Sequence, residues 1–342
     1  MKQAMLAGLI AWMVGAGAAV AAATWETGGK TMGTWYQVKV AYMPDQALDG
    51  LKNEIEQGLA QDNTLLSTWR PDSTLSRFNG YAGTQAQPIP EGMALVIRTA
   101  LQVAEKTQGA MDITVGPLVN LWGFGPGGVP THTPDAAAIA AARQQVGWRH
   151  LHLSERDGKA WLQKDLPSLY VDLSTVGEGY AADRLAALMA RHGITNYLVS
   201  VGGAVVTRGE SASGQPWKVA IQQPTDKQTR IEAIVDLQGH GISTAGSYRN
   251  YYQRDGRRLS HIIDPASGQS ISHHLVSATV IANTALQADA WDTGLMVLGP
   301  ERAKALALRE GLAVYLIIAS NDGFISWQSP AFARYLVGAT AH

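Results

Sequence analysis

Between Leu169 and Gly203 the chain reads LYVDLSTVGEGYAADRLAALMARHGITNYLVSVGG, and this stretch constrains the fold more than any other. The apolar run Leu169 to Leu173 predicts a strand that breaks at Ser174-Thr175. A Gly-rich turn, Val176 to Gly179, then feeds an Ala/Leu helix that stops at Gly193. A second strand, Tyr197 to Val201, ends in Gly202-Gly203. One carboxylate, Asp172, falls at the end of the first strand and another, Glu178, at the start of the helix. Such a turn offers backbone N–H groups and carbonyls to a ligand, which makes the stretch a candidate site on chemistry alone.

At 342 residues and 46% hydrophobic, the chain can bury a large core as one big domain or two intimate lobes. A formal net charge of -1 with no basic stripe excludes nucleic acid as the expected partner. Lys2, the apolar run Ala4 to Val20 and the small residues Ala21-Ala22-Ala23 read as a secretory signal peptide, with cleavage before Thr24. The expected division is therefore a signal peptide over residues 1–23 and one functional domain over 24–342. No cysteine is present, so no thiol can carry a lipid, a disulfide or a thiolate-bound metal. No later run approaches the ~20 apolar residues of a membrane span. The expected compartment is a bacterial periplasm, with the protein free or held at the inner membrane.

Taken in order, Thr34 to Tyr42 alternates as a strand after the turn-like Lys30-Thr31-Met32-Gly33, and Leu48 to Leu59 has helical spacing. Leu65 to Asn79 is polar and Pro-broken and reads as a loop carrying an exposed aromatic, Trp69. A helix is expected from Glu91 to Lys106. The run Gly109 to Gly125 has no simple period and holds one acid, Asp112. A buried, unpaired acid costs several kcal/mol, on the order of a lost ion pair, so Asp112 needs a hydrogen-bond partner or a ligand. An Ala-rich helix (Pro134 to Val146) and a strand pair (His150 to Gln163) lead into the opening stretch. After Gly203, short strands with turns every 8–12 residues predict an antiparallel sheet rather than repeated βαβ crossovers.

Two constellations near the C-terminus carry chemistry. Thr284-Ala-Leu-Gln287 has the spacing of a capping box, opening a helix that stops at Gly299-Pro300. On it, Asp289 and Thr293 are four residues apart and share one face. A carboxylate and a hydroxyl there are hard oxygen ligands suited to Mg²⁺. The competing reading is that Asp289 and Asp292 simply favour the positive helix start. His261, followed by Asp264-Pro265, ends a strand where side chains can project into a cleft; it is a base candidate or a satisfied structural histidine. The phosphate-loop, zinc-helix and nucleophile-elbow patterns are all absent, and Gly177-x-Gly179 lacks the rest of a dinucleotide fingerprint.

Six segments together resemble the ApbE flavin transferases, FAD:protein FMN transferases. They are Lys30-Thr-Met-Gly33, Leu66-Ser-Thr-Trp69, the whole of Gly109 to Gly125, Val171 to Asp183, Ser260-His-Ile-Ile-Asp-Pro265 and Ala288-Asp-Ala-Trp-Asp-Thr293. The resemblance covers nearly the whole chain after residue 23. It implies an α+β, two-lobed mixed-sheet fold of largely antiparallel strands with flanking helices, and FAD in the cleft between lobes.

The implied reaction is Mg²⁺-dependent. FMN passes from FAD to a threonine or serine hydroxyl of a target protein, and AMP is released. Implied acceptors are exported subunits of Nqr- and Rnf-type membrane redox complexes. By position, Met32, Trp69, Ala110, Met111, Asp112, Asp172, Glu178 and Ile263 match the family's FAD-contacting positions. Thr175 (through its carbonyl), Asp289 and Thr293 match its metal ligands, and His261 matches a proposed catalytic base. Glu178 stands where many members have Lys, and Trp69 where tyrosine is commoner. Two alternatives use the same residues: a Mg²⁺-dependent FAD pyrophosphatase, and a non-catalytic periplasmic FAD-binding protein.

Overall fold

The computed structural model describes residues 24–43, 48–225, 230–248 and 250–338; the expected signal peptide, residues 1–23, lies outside them. The chain opens with β1 (Thr24–Thr31) and β2 (Thr34–Ala41), joined by the two-residue turn Met32-Gly33. Both turn residues take positive φ, 49° and 76°, the geometry that matches the twist of a tight hairpin. Helices α1 (Leu51–Leu66) and α2 (Thr74–Gly80), strand β3 (Gln87–Ile89) and helix α3 (Glu91–Lys106) follow. Next come α4 (Gly116–Leu121), α5 (Ala136–Arg143) and the hairpin β4 (Leu151–Arg156) and β5 (Lys159–Lys164). Helix α6 (Gly177–Arg191) leads into β6 (Tyr197–Val201), β7 (Ala204–Arg208), β8 (Lys218–Gln222) and β9 (Ile231–Asp236). Strands β10 (Gly241–Gly246), β11 (Tyr251–Arg254), β12 (Arg257–Ser260) and β13 (Leu275–Ala282) continue the chain. Helices α7 (Ala285–Leu298) and α8 (Pro300–Glu310) precede the last strands, β14 (Ala313–Ser320) and β15 (Gly323–Gln328).

Eight strands form one sheet in the order β1-β2-β6-β7-β10-β13-β14-β15, and every neighbouring pair is antiparallel. A second, three-stranded sheet has the order β3-β5-β4. The expected α+β class, with a large antiparallel sheet and flanking helices, is the fold observed.

Helices α6 and α7 lie between two hydrophobic cores. One surrounds the small sheet and α3, with Met93, Ile97, Leu162 and Val171, and takes in Tyr180 of α6 and Leu286 and Ala290 of α7. The other lies against the large sheet and takes in Ala181, Ala182 and Leu185 of α6 with Ala285 of α7. Helix α7 is apolar nearly all round, and its buried residues include Ala285, Leu286, Ala288, Ala290, Leu295 and Met296. Such a helix belongs inside the molecule. Two carboxylates buried on it therefore stand out: Asp289 and Asp292.

The structure departs from the sequence reading in three places. Leu169, Val171 and Leu173 are buried, but among the described residues their segment pairs with no strand; a side chain from α2 takes the place of a neighbouring strand. The expected loop from Leu65 to Asn79 holds helix α2, started by Ser73, whose Oγ accepts from the Ser76 N–H at 2.9 Å. Strands β1 and β7 were not anticipated; β7 exists because Gly202, at φ 54°, turns the chain straight back from β6. Among the described residues, no helix is long and apolar enough to cross a membrane.

Candidate active site

Helix α6 begins at Val176, whose side chain makes no cap. Its first-turn N–H groups need acceptors, and a carboxylate from α7 supplies one. Asp289 Oδ2 accepts from the Gly179 N–H at 2.8 Å, while Oδ1 accepts from Ser243 Oγ of β10 at 3.1 Å. The start of α7 is capped from α6 in return. Asp183 Oδ1 and Oδ2 accept from the Ala285 and Leu286 N–H groups, both at 2.9 Å. Thr284 Oγ1 adds the expected box contact to the Gln287 N–H at 3.1 Å. Only glycine fits at 179: a Cβ there would lie 2.5 Å from the Ala285 carbonyl oxygen and 2.8 Å from Asp289 Cβ.

Next to this junction, Glu178 Oε2 accepts from the Gly203 N–H at 2.7 Å, tying α6 to the β6–β7 turn. Burial first, and then the charge of Glu178, push the Asp289 pKa well up. Asp292 is likewise pushed well up, by burial and by Asp289. Thr293 Oγ1 donates to Asp292 Oδ1 at 3.2 Å.

A second wall is built from the aperiodic run after α3. At Gly294 the run 107–111 packs directly on α7, with Met111 Cβ and Thr107 Cγ2 each 3.1 Å from where a Cβ would stand. Met111 is buried and Ala110 is half-buried. Asp112 finds its partners inside the protein: Oδ1 accepts from the Thr114 N–H at 2.8 Å and Oγ1 at 2.6 Å, and Oδ2 accepts from the Trp148 N–H at 3.1 Å. Burial pushes its pKa up and these donors oppose the rise.

One residue on, the Ile113 carbonyl accepts from the Asp172 N–H at 2.7 Å. Asp172 Oδ1 accepts from the Ser174 N–H at 2.9 Å, folding the chain into the turn that carries Thr175 and leads to Gly179. The contacts thus close a ring: α7, Met111, Ile113, Asp172, the Thr175 turn, Gly179 and α7 again. Eight of the residues singled out in the sequence lie on this ring or beside it: Ala110, Met111, Asp112, Asp172, Thr175, Glu178, Asp289 and Thr293.

The others approach from the rim. Trp69 is 64% exposed, and its neighbour Thr68 hydrogen-bonds Tyr170, two residues from Asp172. Met32 is half-buried at the hairpin turn, packed on the core that includes Ala182 and Ala285. Ile263 is buried with Leu118 and Trp122, just beyond the Asp112 run. His261 is half-buried, its ring edge-on to Phe124 at 6.2 Å. Its Nδ1 lies 3.0 Å from the Asn250 carbonyl, which can only accept, so Nδ1 carries the proton and Nε2 keeps its lone pair. Burial lowers the His261 pKa, with the Asn250 contact opposing, and the neutral ring is a base.

Sequence reasoning missed Asp183 and Ser243, which hold α7 and Asp289. Asp183 sits inside the quoted Val171 to Asp183 segment, four residues after Gly179 on the same helix face; that spacing was the available signal.

Among the described residues no three His, Asp or Glu side chains are grouped to hold a metal ion, but a carboxylate and a hydroxyl on one helix face have the chemistry of ligands for a hard divalent cation. Each oxygen of Asp289 accepts one hydrogen bond, and a carboxylate oxygen has room for more. The Thr293 hydroxyl is on the same helix one turn later. Glu178, Asp289 and Asp292 gather negative charge, and no ion pair to Asp289 or Asp292 occurs among the described residues. A cation would offset both the burial and the charge repulsion that raise the two pKa values.

A family model described as the ApbE family matches residues 32–316. The chain belongs to the ApbE family. The ApbE match runs from Met32 to Leu316 and so contains every site residue named above. A Klebsiella pneumoniae (strain 342) relative, FAD:protein FMN transferase, is 57% identical over 310 residues, covering 91% of this chain and 89% of its own. An Escherichia coli (strain K12) protein of the same name is 56% identical over 309 residues, covering 90% and 88%. Among solved structures, the flavin transferase ApbE from Vibrio cholerae has a TM-score of 0.83 at 37% identity, covering 92% of this chain and 100% of that one. The apo flavinyl transferase ApbE from Pseudomonas stutzeri has a TM-score of 0.82 at 38% identity, covering 94% and 98%.

Proposed function

We propose that this ApbE-family enzyme moves FMN from FAD to a threonine or serine hydroxyl of a target protein and releases AMP, with Mg²⁺ required. Its flavin transferase class follows from relatives of that name at 56–57% identity over nine-tenths of the chain. The observation that carries the finer reading is the pairing of two features in one fold. A buried acidic pole at Asp289 suits a cation, and a neutral imidazole at His261 suits a base.

The chemistry assigns each residue a task. Thr175 through its carbonyl, Asp289 and Thr293 would hold Mg²⁺, which neutralises phosphate charge. His261 Nε2 takes the proton of the acceptor hydroxyl. The hydroxyl oxygen bonds to the FMN phosphorus as the bond from that phosphorus to the bridging oxygen breaks, and AMP leaves with that oxygen. Asn250 keeps the His261 ring in the tautomer this step needs. Trp69 offers a ring face for stacking on FAD, and Asp172 and Glu178 offer acceptors at the wall. We further propose that residues 1–23 direct the protein to the periplasm, and that its acceptors are exported subunits of Nqr- or Rnf-type redox complexes.

The test is to incubate the protein lacking residues 1–23 with FAD, Mg²⁺ and a candidate acceptor domain. Acceptor fluorescence that survives a denaturing gel, with equimolar AMP, is the expected result. AMP with free FMN would replace transfer by hydrolysis, and neither product would leave a flavin-binding protein.

A further inference from the structure

The segment Leu169 to Leu173 has the composition of a central strand, yet among the described residues no strand pairs with it. Its backbone polar groups still need partners, because the segment is buried: Leu169, Val171 and Leu173 are each at most 1% exposed. The Asn79 side chain, 92 residues earlier on α2, meets Val171 at both ends. Its Oδ1 accepts from the Val171 N–H and its Nδ2 donates to the Val171 carbonyl, each at 2.8 Å. This is the two-bond exchange an antiparallel neighbour would make, supplied by one primary amide.

The fully buried Lys164 works on the same segment more weakly. Its Nζ donates to the Asn79 carbonyl at 3.3 Å and the Leu169 carbonyl at 3.4 Å. Asp172 comes next, and its N–H donates to the Ile113 carbonyl. Successive residues of the segment are thus held on opposite edges, Val171 by Asn79 and Asp172 by the Asp112 wall. The direction in which the Asp172 carboxylate leaves the chain, and the place where the Thr175 turn starts, depend on both. Asn79 also sits on the helix whose cap, Ser73, donates from its Oγ to the Ser67 carbonyl in the Trp69 loop.

We infer that Asn79 is a positioning residue for flavin binding: its amide locks the Asp172–Thr175 wall to the helix that follows the Trp69 loop. This rests on the proposed FAD site. Asn79 touches the wall's backbone through Val171 and need not touch FAD. A displaced wall costs affinity because binding groups must be held in place to within a fraction of an ångström.

The test measures FAD affinity by flavin fluorescence quenching, and the melting temperature without ligand, in four variants. Asn79→Ala should weaken FAD by about tenfold or more while still unfolding cooperatively. Asn79→Asp keeps the acceptor for the Val171 N–H and loses the donor to its carbonyl, so its affinity should fall between. Lys164→Met, which removes only the two longer bonds to Asn79 and Leu169, should lower the melting temperature and weaken FAD less than Asn79→Ala does at the same loss of stability. Wild-type affinity in Asn79→Ala would overturn the inference. So would a loss in Lys164→Met that tracks melting temperature on the same line as Asn79→Ala, since that marks a merely structural role. If Asn79→Ala does not fold, wild-type affinity in Asn79→Asp overturns it instead. Unchanged affinity in Asp172→Ala would separately sink the site reading on which it stands.

Discussion

Asp183 and Asp289 stand on neighbouring helices, and each carboxylate caps the other's helix. Asp183 takes the Ala285 and Leu286 N–H groups at the start of α7, and Asp289 takes the Gly179 N–H at the start of α6. The exchange fixes the two helices in register along and around their axes. It also places the Asp289 carboxylate in the field of another helix's positive end, which offsets part of its burial cost.

Asp289→Asn should separate stability from activity. The amide oxygen can still accept from Gly179, and a buried, repelled carboxylate is gone. Metal-free protein should melt no lower than wild type. Transfer should fall by about 10² or more, since a bound metal contributes several kcal/mol to phosphoryl chemistry. In metal-free wild type, the raised Asp289 pKa means that stability is lost as pH rises through it, and the variant should flatten that loss. Wild-type turnover in Asp289→Asn would remove Asp289 from the metal site.

As the proposed base, His261 should set the acid limb of the reaction. Its folded pKa lies below the ordinary imidazole value of about 6.5, so the neutral base persists below that pH, and transfer declines only as pH falls through the lowered value. Folding shows the same sign: the unfolded chain binds the proton more readily, so the His261 contribution is lost as pH falls below about 6.5. His261→Ala should bind FAD normally and transfer about 10²–10⁴-fold more slowly. A pH–rate profile unchanged by that substitution would exclude His261 as the base.

Gly179→Ala tests the closeness of α6 and α7. The added methyl meets the Ala285 carbonyl and Asp289 Cβ well inside contact distance, and both belong to a packed helix. Overpacking of this kind costs about 1–3 kcal/mol. Chemical denaturation should show that loss, and transferase activity should fall with it. A variant as stable as wild type would contradict the observed crossing.

Trp69→Ala should do the reverse. The side chain is 64% exposed, so its removal should leave the melting temperature nearly unchanged. Aromatic stacking on a base is worth about 1–3 kcal/mol, so the Michaelis constant for FAD should rise about five- to a hundredfold. No change in FAD affinity would place Trp69 outside the binding surface.

Away from the site, Asp62 is buried beside Arg184, with Oδ2 unpartnered among the described residues. Burial outweighs the guanidinium and raises its pKa to about 6. The folded state therefore holds the proton more tightly than the unfolded chain, and stability falls as pH rises from about 4 to about 6. The total is at most ~3 kcal/mol on a two-unit shift. Urea unfolding of Asp62→Asn at both ends of that window should show a weaker pH dependence than wild type; parallel curves would refute the raised pKa.

Local chemistry is what the sequence reports well. The Glu91 to Lys106 helix, the Thr284 box and the His261 strand end all lie where spacing and capping residues indicate. Asp112, flagged because a buried acid needs partners, finds three donors. The missed features share a different origin. Val171 takes its partner from 92 residues away, Asp289 from 110, and Asp183 from 102. No window of neighbouring residues encodes such pairs, and an apolar run looks the same beside a strand as beside one asparagine. Leu169 to Leu173 read as a strand because its side-chain pattern is that of one; only its hydrogen-bond partner differs.

The order of the large sheet has a consequence for how a flavin could be acquired. Strand β2 pairs with β6, bringing Tyr36 to Val201, and Gly179 meets Asp289 across 110 residues, so neighbours in space are distant in the chain. Site residues from Met32 to Thr293 converge only once those distant pairings have closed, and closures of that kind are slow. A partly assembled chain would have no coherent pocket. Flavin uptake would then report completed folding, and the ligand would in turn hold the finished architecture shut, by an amount that grows with the logarithm of its concentration.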